Sequence, residues 1–244
     1  SNPLKNREVH YDFSAMVPLQ LQNSLADIHK IKKLIIGGGA VSMDLLKEIK
    51  QVKTEIFATY GMTETITHIA VKKLNNDKKI IEGETRQAAY EVLPNVSISA
   101  DERGCLVIEA FEVSQEKITT NELVNIISET SFEWLGRFDS VINSGGIKLI
   151  PEQIEGKLAT KIEQRFFIAG ISDAVLGEKL ILVVESEIKM AEKLKKNMLK
   201  KMQQIKNVSK YEIPKDVYFI EKFIETPTRK INRTETLKLI KYND

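Results

Sequence analysis

The spacing of apolar residues along the first 60 positions alternates between helix-like and strand-like segments. Apolar side chains at every third or fourth position indicate a helix, whereas a short continuous apolar run indicates a buried strand. Pro18 suits the first turn of a helix over 14–28, and Ser42 is a suitable N-cap for a helix over 43–50. The predicted elements are a helix over 14–28, a strand over 33–36 that runs into Gly37, Gly38 and Gly39, a helix over 43–50 and a strand over 55–58. This order predicts a parallel α/β unit, in which ligands gather where the strands end.

The pattern then changes twice. Short apolar segments separated by turn signals run from residue 66 to residue 127 and predict an antiparallel β region. A compact α+β sequence follows, with a loop, a helix that begins at Pro151, strands near 165–171 and 179–185, a helix near 188–206 and a strand near 216–220. The chain is therefore expected to combine α/β and α+β classes, with residues 1–136 in one domain and 137–244 in a smaller one.

Charge does not favour a polyanionic partner, because 36 basic and 34 acidic side chains leave a net charge of only +2. The predicted helix near 188–206 carries several lysines, which raises the possibility of a nucleic-acid surface. Met198 and Met202 mark an apolar stripe on the same helix, so the lysines are better explained as the solvated face of an amphipathic helix. No nucleic-acid partner is expected.

The single cysteine, Cys105, lies in an apolar run and cannot form an internal disulfide. It is expected to be a core residue of a protein in a reducing compartment, which favours the cytoplasm. No apolar run reaches the roughly 18 residues that a membrane-spanning helix needs, and no secretory signal pattern is found.

Chemistry-bearing residues follow the second predicted strand, in Tyr60-Gly61-Met62-Thr63-Glu64-Thr65. A hydroxyl, a carboxylate and an aromatic ring here can serve a phosphate, a metal and a base, although an ordinary strand-to-turn segment has similar composition. Two further segments are unusual: Gly136-Arg137-Phe138-Asp139 with Asn143-Ser144-Gly145-Gly146, and Thr226-Pro227-Thr228-Arg229-Lys230.

In this order the three segments resemble the adenylate-forming superfamily of acyl-CoA synthetases, and within it the branch of o-succinylbenzoate–CoA ligases of menaquinone biosynthesis. The resemblance covers nearly the whole chain but only the C-terminal portion of a family member. It implies that a carboxylic acid is activated by ATP and Mg²⁺ as an acyl-adenylate and is then transferred to coenzyme A.

The resemblance also implies roles for residues before position 137. Thr63 would contact phosphate, Glu64 would hold Mg²⁺ and Tyr60, after the Gly61 turn, would lie against the adenine. The loop of Gly38, Gly39 and Ala40 would lie beneath the adenine and acyl groups. Glu122 stands where the family has an Asp that binds the ribose hydroxyls, and its extra methylene favours weaker nucleotide binding.

From position 137 onward, the resemblance implies that Arg137 contacts ribose or phosphate and that Asp139 is the hinge of a mobile small domain. Lys230 would bridge the carboxylate and phosphate oxygens, although Arg229 replaces the glycine usual before it. Ser144, Gly145 and Gly146 would line the channel for coenzyme A.

One expected part is missing, because nothing before Tyr60 resembles the family's phosphate-binding loop. This leaves a second hypothesis open, in which the chain is a catalytically silent fragment or an interaction module. A partial large domain would also expose a sheet edge, so self-association into a homo-oligomer is expected. His68 could face an acyl pocket or simply pack in a strand.

Overall fold

The structure is a computed structural model that describes residues 2–39, 41–75, 89–186, 191–205, 207–227 and 230–240. Of the residues predicted to matter for function, Ala40 and Arg229 lie outside the described residues. The chain divides into two compact units, Ser1–Trp134 and Leu135–Asp244.

The first unit contains one continuous sheet. Its strands among the described residues are β1 (Tyr11–Met16), β2 (Ile31–Ile36), β3 (Glu55–Gly61), β4 (His68–Lys73), β5 (Tyr90–Val92), β6 (Ser97–Ala100), β7 (Cys105–Glu109), β8 (Ile118–Ser128) and β9 (Ser131–Arg137). They lie in the order β1-β2-β3-β4-β5-β9-β8-β7-β6. Strands β1, β2 and β3 run parallel, and β4 pairs antiparallel with β3. The predicted parallel unit and the predicted antiparallel region are thus both confirmed, and they share one sheet.

Two α-helices of this unit, α1 (Pro18–Ser24) and α2 (Met43–Ile49), accompany the parallel strands, and 3-10 helices cover Leu25–Lys30 and Thr63–Thr65. The predicted helix over 14–28 is wrong at its start, where residues 14–16 belong to β1 and pair with β2. The reason is Pro18, which disfavours helical backbone at Val17 and therefore begins the helix instead of extending it. Ser42 caps α2 as predicted, since its hydroxyl oxygen accepts from the Leu45 amide.

The strands of the first unit are apolar runs because their side chains form its core. The parallel strands and both helices bury a shared set of side chains, which includes Leu21, Leu34, Ile36, Ile49 and Ile56. Each such side chain contributes about 1.5–3 kcal/mol when it leaves water. A second cluster fills the antiparallel region around Phe132 and Leu106, and Cys105 beside it is fully buried, as predicted.

The second unit is α+β. It comprises a 3-10 helix over Phe138–Ser140, then β10 (Ile142–Ser144), β11 (Ile147–Leu149), α3 (Pro151–Leu158), β12 (Phe166–Asp173), β13 (Gly177–Glu185), α4 (Ala191–Gln203), β14 (Asp216–Ile220) and α5 (Arg233–Leu237). Strand β13 is central, because it pairs with β10, β12 and β14. Alternate residues of β13 are buried on opposite faces, Leu182 with α3 and α4, and Val183 with Phe167 and Phe223.

The lysine-rich helix α4 behaves as an amphipathic surface helix. Met198 and Met202 are buried in the core, whereas Lys196, Lys200 and Lys201 are exposed. The predicted apolar stripe is therefore confirmed. In the part of the chain that the structure describes, no helix combines the length and the apolar character that crossing a membrane requires.

Candidate functional site

The carboxyl ends of the three parallel strands lie at one edge of the first unit's sheet. Met16 of β1 is in register with Ile36 of β2, which in turn is in register with Ala58 of β3. The glycine loop follows β2 at this edge, and Gly38 has a φ of 80°, a conformation that disfavours other residues. The edge therefore brings the predicted Gly38–Gly39 loop and the end of β3 to the same side of the sheet, where ligands bind in parallel sheets.

Gly61 ends β3 in close contact with the following backbone. A Cβ atom at this position would lie 2.5 Å from the Thr67 carbonyl oxygen and 2.7 Å from the Cα of His68. Only glycine allows the chain to fold back so tightly before β4. The Gly61 turn that the sequence predicted thus has a direct steric cause.

Thr65 stabilises the turn through its hydroxyl group, and its side chain is fully buried. Its hydroxyl accepts from the Met62 amide at 3.0 Å and lies 2.7 Å from the Thr67 carbonyl, to which it can donate. These bonds hold the Thr63–Thr65 3-10 helix, whose other two members, Thr63 and Glu64, are exposed. One buried hydroxyl therefore orients an exposed hydroxyl and an exposed carboxylate.

Ile66 carries strain that the sequence did not reveal. Its φ of 61° and ψ of −42° place a β-branched residue in a rare region, with 82% of its surface exposed. The Thr67 amide donates to the Thr65 carbonyl at 2.5 Å, which completes a γ-turn centred on Ile66. Backbone strain of this kind costs about 1–3 kcal/mol and is found most often at functional sites. No sequence pattern signals it, since Ile is among the least expected residues at positive φ.

Glu64 is suited to a hydrated magnesium ion. Its carboxylate is exposed, and the Thr63 hydroxyl neighbours it in the chain. Mg²⁺ is usually held by only one or two protein carboxylates, with water and substrate phosphates as its other ligands. Within the described ranges no group of three or more His, Cys, Asp or Glu side chains could hold a metal ion.

Tyr60 packs into an aromatic cluster with Tyr90 and Phe132. Its ring is edge-on to both neighbours, with centroid distances of 5.6 Å and 5.3 Å. The Lys72 ammonium lies 4.7 Å from the Tyr90 ring centroid, and burial lowers the pKa of this lysine. The residue predicted to lie against adenine is thus half-buried and rigidly supported. His68 is half-buried in β4.

Glu122 lies on β8, where its Oε2 accepts a hydrogen bond from the indole Nε1 of Trp134 on β9 at 2.5 Å. Trp134 thereby fixes the rotamer of the side chain that the resemblance assigns to ribose. The longer glutamate is oriented by a neighbour 12 positions away, a pairing that sequence spacing alone does not indicate.

In the second unit, Arg137 and Asp139 form a two-point ion pair. Arg137 Nε donates to Oδ1 at 2.9 Å, and Nη2 donates to Oδ2 at 2.7 Å. The hydrogen bond from Arg137 lowers the pKa of Asp139. The predicted nucleotide contact and the predicted hinge are therefore joined directly, two residues apart.

Gly145 and Gly146 form the turn of the β10–β11 hairpin, with φ values of 60° and 80°. Two successive positive φ values are typical of a type I′ hairpin turn, which explains both glycines without a ligand. Nothing would lie within 4 Å of a Cβ atom added to Gly146, so the turn is open on that side, next to Ser144.

Lys230 lies on a closed loop near the C-terminus. The Thr226 amide donates to the Lys230 carbonyl at 2.8 Å, and the Lys230 amide donates to the Thr226 hydroxyl at 3.1 Å. A bridge between Glu225 and Ile231 closes the base of this loop. The Lys230 side chain is exposed.

An ionic cluster in the second unit was not anticipated. Arg233, the first residue of α5, donates from Nη2 to Glu155 Oε2 at 2.9 Å, and its Nη1 lies 3.8 Å from Glu152 Oε1. Burial raises the pKa of Glu155 to about 7, although Arg233 and the Ile168 amide act in the opposite direction. Sequence spacing gives no sign of a pair separated by 78 positions.

Comparisons with known proteins identify relatives of this chain. No model of a known protein family matches the chain. A curated 2-succinylbenzoate–CoA ligase from Geobacillus sp. (strain WCH70) is 24% identical over 94% of this chain and 51% of its own length. The 2-succinylbenzoate–CoA ligase of Escherichia coli (strain K12) is 22% identical over 75% of this chain and 42% of its own length. The chain spans about half the length of the curated relatives it matches.

Solved structures give a similar result. The o-succinylbenzoate CoA synthetase of Bacillus subtilis, in complex with its acyl-adenylate intermediate, has a TM-score of 0.74 at 18% identity, covering 96% of this chain and 52% of that one. This likeness shows a shared fold. An acyl-CoA synthetase (AMP-forming)/AMP-acid ligase II-like protein from Dyadobacter fermentans DSM 18053 is 36% identical, with a TM-score of 0.53, and the match covers 97% of this chain and 68% of that one. The chain therefore belongs to the family of AMP-forming acyl-CoA synthetases and AMP-acid ligases.

Proposed function

We propose that the protein is an acid–thiol ligase that works in two steps. A carboxylate oxygen first attacks the α-phosphorus of ATP, so that an acyl-AMP forms and pyrophosphate leaves. The coenzyme A sulfur then attacks the acyl carbon, the bond to AMP breaks, and the thiol proton is released. The constrained turn that presents Thr63 and Glu64 at the carboxyl edge of the parallel strands carries this proposal.

In the first step, Glu64 would hold Mg²⁺ and Thr63 would contact phosphate. The magnesium ion, when bound, neutralises charge on the phosphate oxygens. Tyr60 would support the adenine, with the Gly38, Gly39 and Ala40 loop beneath it. Glu122 and Arg137 would bind the ribose hydroxyls, and Arg137 could also reach a phosphate.

Lys230 would be the cation that bridges the carboxylate and the ribose-phosphate oxygen during adenylation. Its exposed ammonium on a closed loop can supply charge where negative charge develops. One cleft cannot present both this lysine and a thiol to the same carbonyl at once. Asp139 would therefore be the hinge at which residues 137–244 turn between the two steps, and Ser144, Gly145 and Gly146 would then line the path of coenzyme A.

The substrate that we propose is 2-succinylbenzoate, because curated relatives over most of this chain act on it by name. This would place the protein in menaquinone biosynthesis. Another carboxylic acid is the alternative within the same reaction class. A cytoplasmic location and self-association are further parts of the proposal.

The test is an assay of the protein as its gene encodes it. ATP–pyrophosphate exchange and thioester formation are measured with a panel of carboxylic acids, in the wild type and in Lys230→Ala. The matched control is Lys238→Ala, an exposed lysine just after α5. Removing one charge-stabilising group typically lowers the rate about 100-fold or more, so Lys230→Ala should lose exchange to that extent while Lys238→Ala does not.

Each result decides one part of the proposal. A preference for another acid would reject 2-succinylbenzoate and keep the reaction class. Full exchange activity in Lys230→Ala would reject the role of the lysine. A folded wild-type protein without exchange on any acid would instead favour the catalytically silent alternative. Light scattering at high concentration decides on self-association, since a clean monomer would contradict it.

A further inference from the structure

Arg233 contacts three side chains within the second unit. Glu155 accepts its Nη2 at 2.9 Å, Glu152 lies 3.8 Å from its Nη1, and its guanidinium carbon lies 5.8 Å from the centre of the Phe167 ring. The side chains of Glu152 and Glu155 are only 13% and 19% exposed. We call these three charged residues the α3–α5 clamp, because they join the helix that begins at Pro151 to the helix that begins at Arg233.

The clamp is connected to the Lys230 loop by a short stretch of chain and a backbone hydrogen bond. Arg233 follows Lys230 by three positions, and between them the Asn232 amide donates to the Ile224 carbonyl at 2.8 Å. Asn232 also caps α5, since its side-chain oxygen accepts from the Glu235 amide. A displacement of Arg233 would therefore also displace the Glu225–Ile231 bridge that closes the Lys230 loop.

The other end of the clamp meets the segment before the proposed hinge. A Cβ atom on Gly136 would lie 2.5 Å from Glu152 Oε2 and 2.5 Å from Ile150 Cγ2. Gly136 has a φ of 153°, and its bare Cα leaves just enough space for this carboxylate. Glu152 Oε2 is buried and has no hydrogen-bond partner among the described residues, so it is held by packing against Gly136 and by its other oxygen's attraction to Arg233.

Stability alone is a weak explanation for this arrangement. Removing charges from water offsets most of the attraction between them, so a buried ionic group contributes little net stability compared with apolar residues of similar size. Burial removes much of the hydration of Glu155, and this raises the pKa of its carboxyl group. In some proteins such a group instead fixes the geometry between the elements it joins.

We propose that Arg233, held by Glu152 and Glu155, is a positioning residue that sets the location of Lys230 for adenylation. This inference rests on the proposed function, in which Lys230 is the adenylating cation. Arg233 itself does not contact the reacting atoms in this scheme. It acts by fixing the base of the loop relative to α3, whose Glu152 packs against Gly136.

Hydrogen exchange on the full chain tests the structural part without any need for activity. The variants are Arg233→Met, Arg233→Lys and Glu155→Gln, and the control is Lys238→Met, which removes a local ion pair with Glu235 of α5. In Arg233→Met the amides of Thr226 and Asn232 should exchange at least tenfold faster, while the amides of β13 keep their wild-type rates. Arg233→Lys should restore part of the protection, and Lys238→Met should change nothing.

Kinetics provide the second measurement. Arg233→Met should lower the adenylation kcat at least tenfold with little change in the KM for the acid, because the lysine is misplaced while the acid still binds. Unchanged exchange at Thr226 and Asn232 would overturn the inference. An equal rise in exchange across β13 would also overturn it, since the residue would then serve global stability only.

The two proposals can fail separately. If Lys230→Ala keeps full adenylation, the proposed role of Lys230 is wrong, whatever the exchange rates show. If Lys230→Ala is inactive but Arg233→Met leaves the loop protected, the role of Lys230 stands and the positioning role of Arg233 is wrong. Should Arg233→Met not fold, the milder Glu155→Gln variant decides by the same two amides at about pH 8, where the wild-type carboxyl group is ionised.

Discussion

Trp134 donates a hydrogen bond from its indole Nε1 to Glu122 Oε2 over 2.5 Å, from β9 to the neighbouring strand β8. The bond restricts a flexible carboxylate that would otherwise lose rotamer entropy when it binds a ligand. In the proposed role of Glu122 at the ribose, the bond would offset part of the disadvantage expected from glutamate in place of the family's aspartate.

Trp134→Phe should weaken nucleotide binding while it keeps the aromatic packing. Without the bond, the Glu122 side chain must be ordered on binding, which costs about 0.5–1.5 kcal/mol and predicts a rise of about two- to tenfold in the Kd for AMP. Titration calorimetry measures this, with Glu129→Gln on the connection between the same two strands as the control. Equal affinity in Trp134→Phe and wild type would show that Glu122 does not depend on this bond.

Gly61→Ala should destabilise the first unit. The new methyl group would meet backbone atoms at 2.5 Å and 2.7 Å, and backbone cannot move aside as a flexible side chain can. Overpacking of this kind costs about 1–3 kcal/mol. Urea unfolding gives the value, and Gly39→Ala is the matched control, because its nearest neighbour would be 4.0 Å from the methyl group. Similar stabilities for the two variants would contradict the steric account of the turn.

Ile66→Gly should raise the free energy of unfolding by about 1 kcal/mol. Glycine adopts positive φ without strain, and the exposed isoleucine side chain loses little buried surface, although glycine gives the unfolded chain more freedom. Thermal or urea unfolding provides the measurement. A loss of stability of the same size would mean that the γ-turn at Ile66 is not strained.

Glu155 predicts a distinctive dependence of stability on pH. Its pKa rises from about 4.5 to about 7 on folding, so between these values the folded chain binds a proton that the unfolded chain has released. The free energy of unfolding should then fall as pH rises through this window, by an amount on the order of 3 kcal/mol. Below the window, this contribution is fully present.

Glu155→Gln should abolish that part of the pH dependence, because glutamine does not titrate. Urea unfolding from about pH 5 to about pH 8 compares the two proteins, with Glu235→Gln on α5 as the control for an exposed carboxylate. Several other carboxylates, including Asp101 and Asp173, have lowered pKa values and act at lower pH, outside this window. Parallel curves for wild type and Glu155→Gln would refute the assignment.

Local signals explain which elements could be predicted from the sequence. Ser42 before an amphipathic segment and Pro151 before another mark the starts of α2 and α3, because capping and proline geometry act over a few residues. The apolar run near 216–220 corresponds to β14. The helix over 14–28 failed at its beginning because its apolar spacing also fits a strand, and only Pro18 separates the two.

The candidate site was predictable in part for the same reason. Tyr60 to Thr65 form a contiguous motif, and the structure places them at the strand edge where the α/β pattern predicts ligands. The bond between Trp134 and Glu122 and the α3–α5 clamp depend on tertiary contacts, which spacing does not encode. The γ-turn at Ile66 requires a positive φ, which isoleucine disfavours, so backbone propensity predicts a different conformation there.

The buried hydroxyl of Thr65 has a consequence for the speed of binding. It orders the Thr63–Glu64 turn in the folded chain. In the proposed role of Glu64 as the magnesium ligand, this carboxylate would already be in place when the nucleotide arrives. Association would then need no slow rearrangement of this segment, and its rate constant should lie in the range typical of preformed sites.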